Sequence, residues 1–175
     1  MNDDGTAVIL VSGKDAEWHA RFESLAARIH SLAPGARIAH IGSTAVPAYE
    51  AKDVVDVLVG VPREQIAVVS RVHKNAGFDE EGCRDRHAWL SVPSRGAREA
   101  VVHVVEAGGE QWRRRLAFRD LLRSDAAARH RYLEVKRQSA ATATGWGAYT
   151  AGKSDIVAAL LAGISTDESA HDAAG

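Results

Sequence analysis

The sequence contains only one cysteine, Cys83, among its 175 residues. A single thiol can form neither an internal disulfide bond nor a zinc site built from several cysteines, so we expect a reducing compartment. No apolar run approaches the roughly 20 residues that a membrane-spanning helix needs. The first residues, MNDDGT, also lack the basic and apolar regions of a signal peptide. These absences predict a cytoplasmic protein without a membrane partner.

The sequence also lacks an excess of charge of either sign. With 22 Lys and Arg against 23 Asp and Glu, the formal net charge is −1, which argues against general nucleic-acid binding. The hydrophobic fraction of 46% and the charged fraction of 26% are typical of a globular protein. We expect one domain over residues 7–164, flanked by flexible tails at residues 1–6 and 165–175, because both ends are small, polar and acidic.

The order of apolar patterns predicts an α+β fold in which helices cover a mixed β-sheet. Strands are expected in the first two thirds of the chain, with Val54–Val59 central in the sheet, and helices in the last third. The predicted elements are a strand at 7–11, a helix from Asp15 to Pro34, strands at 36–42 and 53–61, a helix from Pro62 to about Ala76 and three strands between 77 and 107. From Gly109 onward, helices are predicted at 110–124, 125–141 and 154–164.

An aspartate interrupts the most apolar of these strands. Asp56 lies within Val54-Val55-Asp56-Val57-Leu58-Val59, where an unpaired carboxylate would be costly to bury. Side chains alternate between the two faces of a strand, so Lys52 shares the face of Asp56 while Asp53 lies on the opposite face. Asp53 and Asp56 are therefore not expected to bind one metal ion together.

The turn before this strand and Asp56 together resemble the start of the nucleotidyltransferase superfamily. The superfamily pattern is an apolar residue, Gly-Ser, a spacer, and then two acids at alternate positions of a strand. Here Ile41-Gly42-Ser43 is followed by Asp56 after a spacer of twelve residues, which is within the spacing of the pattern. The resemblance implies that the turn binds a nucleotide phosphate and that carboxylates hold magnesium. Leu58 replaces the second acid, so we expect no tightly bound cofactor. Mg²⁺ would instead arrive with a phosphorylated ligand, with Asp56 as a weak metal ligand.

Five segments in order resemble the GrpB family, which has a nucleotidyltransferase-like fold. They are HIGSTAVP, AKDVVDV, HVVE, EQWRRRLAFRDLLRS and YTAGKSDIV, and they extend the resemblance from Trp18 to about Ile164. The family pattern has a glycine where this chain has Ala48 and a proline where it has Asp53. The resemblance implies a small anionic substrate, such as a nucleotide, and a transferase-like activity.

The candidate catalytic residues are Asp56 and His103, because His can exchange protons near neutral pH. The structural alternatives are an ion pair of Asp56 with Lys52 and a hydrogen-bonded core histidine. The candidate substrate- or phosphate-binding residues are Gly42, Ser43, Thr44, Lys52, His87, Arg119, Arg123, Tyr132, Lys136, Tyr149 and Lys153. For Arg115, on the same predicted helical stripe as Arg119 and Arg123, we expect a solvated position.

Three functions are compatible with this pattern. The first is an enzyme that acts on a nucleotide or another phosphorylated or carboxylated small molecule. The second is a non-catalytic module that binds nucleotides or anions on the same scaffold, as the replacement by Leu58 suggests. The third is a biosynthetic enzyme that uses the pocket for condensation or cyclisation without nucleotidyl transfer.

Overall fold

The computed structural model describes residues 7–172 of the chain. These residues form two compact units, one comprising Val11–Arg119 and the other comprising residues 7–10 with residues 120–172. The first unit contains the β-sheet, and the second is helical. The expected terminal tail at residues 1–6 lies outside the described residues. At the other end, the last helix continues to Asp172, so this part of the expected tail is helical.

The first unit contains a five-stranded sheet and three helices, the last of which continues into the second unit. The elements, in chain order, are α1 (Asp15–Leu32), β1 (Arg37–Ile41), β2 (Val55–Val61), α2 (Ile66–Asn75), β3 (Asp79–Arg84), β4 (His87–Val92), β5 (Ala100–Glu106) and α3 (Glu110–Ser124). The strand order is β1-β2-β5-β4-β3, with β2 and β5 parallel and the other pairs antiparallel. The sheet is mixed and β2 is interior, so both the α+β class and the placement of Val54–Val59 are confirmed.

One face of the sheet forms the main core with α1 and α2. Val55, Val57 and Val59 of β2 are fully buried on this face, and Trp18 of α1 is fully buried against it. Apolar residues at helical spacing form one apolar stripe along α1, and alternate residues of β2 form one apolar row. The stripe of the helix packs on the row of the strand. This packing fixes which residues of β2 face the helices and sends Asp56 and Leu58 to the other face.

The other face of the sheet is partly covered by α3. Trp112 packs with Ile41, Leu58 and Val105 in a small apolar cluster. A Cβ atom at Gly60 would lie 2.7 Å from the Trp112 ring, so only glycine lets the ring approach β2 this closely. The contact makes Trp112 a core residue and fixes how α3 lies on the sheet.

The second unit consists of the end of α3 followed by α4 (Ala126–Thr142), α5 (Trp146–Ala151) and α6 (Ser154–Asp172). The Asp125 side chain caps α4 by accepting hydrogen bonds from the backbone N–H groups of Ala127 and Ala128. The sequence pattern did not predict α5, because an element of about two turns is too short to display an apolar repeat. Within residues 7–172, none of the helices has the length and apolarity required to cross a bilayer.

The predicted strand at residues 7–11 is wrong. Val11 makes an isolated antiparallel bridge with Ala51, and residues 7–10 have no strand structure. Ile9 in this run is 72% exposed. A short apolar run becomes a strand only when a neighbour pairs with it along its length, and here pairing occurs at one position.

Candidate functional site

The turn after β1 brings the backbone of Gly42 against the side chain of Asp56. Ile41 pairs with Asp56 across β1 and β2, and Gly42 follows with φ 72° before a single 3₁₀ turn at Ser43–Ala45. A Cβ atom at Gly42 would lie 2.5 Å from Asp56 Oδ2. Glycine is therefore required twice, for the backbone conformation and for the close approach of the carboxylate.

The turn is also held from the helix side of the sheet. His40 Nε2 lies 2.9 Å from Thr44 Oγ1, and the His40 ring stacks on Phe22 of α1 at 4.7 Å between centroids. Thr44 is buried, whereas Gly42 and Ser43 are half-buried. Thr44 thus anchors the turn, and Gly42 and Ser43 are the members of the predicted Gly-Ser-Thr anion site that solvent can reach.

His103 and His87 extend the site from Asp56 across β5 and β4. His103 Nε2 lies 3.7 Å from Asp56 Oδ1, and His103 Nδ1 lies 3.0 Å from His87 Nε2. The two imidazole rings stack at 5.3 Å between centroids. Asp56 and His103 share one face of the sheet, and His87 stands beside His103 on the neighbouring strand.

The neighbouring acceptors favour one arrangement of the imidazole protons. A carboxylate beside Nε2 favours a proton on that nitrogen of His103, which leaves Nδ1 as an acceptor. In this arrangement the Nε2–H of His87 donates to His103 Nδ1. The 3.7 Å separation between His103 and Asp56 is longer than a hydrogen bond, so a substrate group beside Asp56 can approach the same nitrogen.

Both histidines are held in the neutral form. Burial, followed by the charges of His103, Arg115 and Arg84, lowers the pKa of His87 to about 3. The pKa of His103 is also lowered, first by burial and then by Arg115, although the contact with Asp56 acts in the opposite direction. Neutral imidazoles can both donate and accept, which is the property that a proton relay requires.

Two basic side chains, Lys52 and Arg115, are near enough to Asp56 for its charge to affect their pKa values. Burial lowers the pKa of Lys52 to about 8, although the attraction of Asp56 raises it. Burial also lowers the pKa of Arg115, again against the attraction of Asp56. The solvated position expected for Arg115 is wrong, because its Nε atom is buried and its charge acts on Asp56 and His103. Trp112 docks α3 on the sheet, and Arg115 follows three residues later on the same helix.

A half-buried ion pair between Glu81 of β3 and Arg98 was not predicted from the sequence. Glu81 accepts hydrogen bonds from Arg98 at 2.7 and 2.8 Å, and the Ser91 hydroxyl also donates to Glu81. The register of the β3–β4 pairing shifts between Glu80 and Gly82, and this irregularity directs the Glu81 side chain toward Ser91 and Arg98. Only the glycine at position 82 hints at such a bulge in the sequence. The pair contributes opposite charges near Lys52, so their influence on Lys52 partly cancels.

Asp53 plays a different part from Asp56, as the strand parity predicted. Its carboxylate accepts hydrogen bonds from Lys14 at 2.8 Å, from Trp18 Nε1 at 3.0 Å and from Arg21 at 3.1 Å. These three residues belong to α1 and its N-terminal flank. Asp53 therefore ties the start of β2 to α1.

The residues around Asp56 do not fit a magnesium ion held by the protein alone. Leu58, at the place of the second acid, is fully buried beneath Trp112 in the apolar cluster. Among the described residues, no group of three His, Cys, Asp or Glu side chains is arranged to hold a metal ion. Asp56 can supply one oxygen ligand, and Mg²⁺ would need further oxygens from a bound phosphorylated ligand.

The remaining predicted site residues lie on the helices, except Lys153, which lies in the turn between α5 and α6. In the first unit, Arg119 Nη1 donates to the backbone oxygen of His40 at 3.3 Å and so links α3 to β1. In the second unit, the Lys153 ammonium lies 3.7 Å from the centroid of the Tyr149 ring. The other predicted residues of that unit are Arg123, whose backbone oxygen accepts from Arg129, and the buried pair Tyr132 and Lys136, in which the ammonium lies 5.6 Å from the ring centroid.

The chain is similar to proteins of one bacterial family. A sequence model described as GrpB protein matches residues 8–162. A UPF0157 protein from Deinococcus radiodurans is 44% identical over 152 residues, which are 87% of this chain and 80% of the relative. Another UPF0157 protein, SCO7215 from Streptomyces coelicolor, is 32% identical over 86% of this chain and 81% of its own.

Solved structures show the same fold. The crystal structure of conserved protein GrpB from Enterococcus faecalis superposes with a TM-score of 0.73 at 27% identity, covering 89% of this chain and 99% of that one. The Cid1 poly(U) polymerase with MgGTP bound has a TM-score of 0.54 at 15% identity over 75% of this chain and 45% of its own, a similarity of fold alone. The fold is thus that of the nucleotidyltransferases, and the family model and the relatives together show that this chain belongs to the GrpB family.

Proposed function

We propose that this GrpB-family protein is an enzyme that acts on a nucleotide or on another phosphorylated or carboxylated small molecule. The observation that best supports the proposal is the position of Asp56. Its carboxylate touches the Gly42 turn on one side and lies 3.7 Å from His103 on the other, within a strand that is otherwise apolar. An anion-binding turn, a carboxylate and an imidazole at one place form a typical catalytic combination.

The charges around Asp56 favour an anionic substrate. One carboxylate has Lys52 and Arg115 in its electrostatic neighbourhood, while the two nearby histidines are held neutral. The immediate surroundings of Asp56 are therefore net positive. The fold is shared with Cid1, which is described as a poly(U) polymerase with MgGTP bound. A nucleotide is for this reason the first ligand to test.

In this proposal each group has a separate role. The backbone N–H groups at Gly42 and Ser43 bind an anionic group of the substrate, as successive N–H groups in a tight turn do elsewhere. Asp56 orients the reacting group, and His103 accepts or donates the proton at Nε2. His87 holds the required tautomer through Nδ1 of His103. Magnesium bound to a phosphorylated substrate would neutralise charge, with Asp56 as its one protein ligand.

Calorimetric titration with ATP, with MgCl₂ and with both tests this function. We expect binding of MgATP to the wild type and weak binding of magnesium alone. Asp56→Asn should abolish the MgATP signal and leave the unfolding midpoint within a few degrees, because the amide keeps the shape of the carboxylate. Asp85→Asn is the matched control, since Asp85 is 74% exposed and pairs with Arg63 at the surface.

Turnover distinguishes the enzyme from a binding module. The module is the second candidate because buried Leu58 removes the second acid of the superfamily pattern. Incubation with nucleoside triphosphates and chromatography of the products should show consumption that His103→Asn reduces at least 100-fold, in the range of general acid–base catalysis. Unchanged nucleotides, together with Asp56-dependent binding, would instead favour the module. Tight magnesium binding without nucleotide would contradict the proposed metal role.

A further inference from the structure

Arg115 occupies a fixed position over the sheet. It lies on α3 between Trp112 and Leu116, both of which pack on the apolar cluster formed with Leu58 and Val105. The close contact of Trp112 with Gly60 holds this helix at one distance from β2. The preceding arginines of the same run, at positions 113 and 114, are exposed.

The guanidinium of Arg115 has an unusual environment. Its Nε atom is buried and has no hydrogen-bond partner within the part of the chain that the structure describes, residues 7–172. Buried polar atoms in native proteins are nearly always paired, and an unpaired one costs stability. Arg115 nevertheless lies close enough to His103 and His87 for its charge to lower the pKa of each. A group kept at such a cost beside a candidate site has the properties of a ligand-binding group.

We propose that Arg115 forms a second oxyanion subsite, in which Nε–H and one Nη–H bind a phosphate or carboxylate group of the substrate as a two-point fork. The inference rests on the proposed function and deepens it. The Gly42 turn lies at Asp56 Oδ2 and His103 lies at Asp56 Oδ1, and the charge of Arg115 acts on both Asp56 and His103. A ligand that uses both the Gly42 turn and Arg115 therefore carries two anionic groups. A planar fork fits such groups, and lysine cannot replace it.

The first experiment needs no ligand. Arg115→Met keeps a long apolar stem and removes the unpaired donor, so the folding equilibrium constant from urea denaturation should stay within threefold of wild type or increase. A tenfold decrease would overturn the proposal, because it would mean that Arg115 serves the fold as a partner of Asp56.

The second experiment compares oxyanions by calorimetry: inorganic phosphate, pyrophosphate, ATP with magnesium, and citrate. Arg115→Lys should weaken binding of the ligands with two or more anionic groups at least tenfold and leave inorganic phosphate within twofold. Arg114→Lys, the matched control on the exposed side of the same helix, should bind all of them as the wild type does. Equal behaviour of the two variants would overturn the subsite.

The panel also separates this inference from the proposed nucleotide. Arg115-dependent binding of citrate without binding of pyrophosphate or ATP would support the subsite, assign it to a carboxylate and contradict the nucleotide. Arg115-dependent binding of pyrophosphate and MgATP would support both. Binding of MgATP that depends on Asp56 and is unaffected by Arg115→Lys would retain the proposed function and overturn the subsite. Binding of none of the four compounds to the wild type would overturn both.

Discussion

Replacing Gly42 by alanine should damage the candidate site more than it damages the fold. Gly42 has φ 72° and ψ −171°, a conformation that is almost restricted to glycine and that costs other residues about 1–3 kcal/mol. The new Cβ atom would lie 2.5 Å from Asp56 Oδ2, against 3.4 Å for an ordinary contact, so the oxygen must retreat by about 0.9 Å. Gly42→Ala should therefore lower the free energy of unfolding by about 2–4 kcal/mol in total, which a domain with a typical stability of ~5–15 kcal/mol tolerates.

Displacement of this carboxylate should be visible in ligand binding. Asp56 would lose its position between the turn and His103, and a loss of about 1.4 kcal/mol of binding free energy already corresponds to tenfold weaker binding. We therefore expect Gly42→Ala to bind MgATP at least tenfold more weakly in calorimetry. Gly13→Ala is the control, because Gly13 has φ 74° and a Cβ atom added there would meet no other atom within 4 Å. It should lose stability in urea denaturation through its backbone alone and keep the wild-type affinity.

A double-mutant cycle isolates the contact itself. In an Asp56→Ala background the oxygen that the new Cβ atom would displace is absent. Gly42→Ala should therefore lower the free energy of unfolding less in this background than in the wild type. The difference should be about 0.5–3 kcal/mol, the usual range for residues in contact. Equal costs in the two backgrounds, with wild-type affinity for MgATP in Gly42→Ala, would refute the reasoning that the glycine exists to admit Asp56.

Three further predictions concern single positions. Leu58→Asp should not create a magnesium site; it should unfold the protein or lower its stability by several kcal/mol in a thermal melt, because the new carboxylate would be buried beneath Trp112. Asp53→Ala should cost about 1–3 kcal/mol in urea denaturation, since its hydrogen-bond donors on the α1 side would lose their acceptor. Burial alone would raise the pKa of Asp53, but its hydrogen bonds outweigh burial and lower the pKa from 3.8. The stability that Asp53 contributes to the fold is therefore present above pH 3.8 and is lost as pH falls through the folded-state pKa. The pKa of His87 is about 3 in the folded chain and 6.5 in the unfolded chain. The free energy of unfolding that neutral His87 contributes is therefore complete above pH 6.5, and it falls by up to ~1.4 kcal/mol for each unit by which the pH drops between 6.5 and 3. Urea denaturation at pH 7, 6 and 5 should show this decline, and His87→Gln should reduce the slope; an unchanged slope would contradict the assignment.

Much of the fold followed from local pattern. The helical segment predicted at 110–124 has the bounds of α3 in the structure, and the alternation expected along residues 52–59 predicted that Asp56 and Asp53 lie on opposite faces. These properties depend on the helical and strand periods, which neighbouring residues fix. The run at 7–11 shows the limit of such reasoning, because an apolar run without a pairing partner has the same local pattern as a strand.

The sequence by itself determined the α+β class, the glycine turn beside β2 and the face on which Asp56 lies. The tertiary structure decided which groups meet there. The contact of His87 with His103 depends on the register of β4 against β5, and a slip of one residue would send His87 to the opposite face. The orientation of Arg115 depends on how Trp112 docks on Gly60, and nothing in a run of three arginines distinguishes the one that faces the sheet. Periodicity is a local property, whereas register and helix docking are set by packing between residues far apart in the chain.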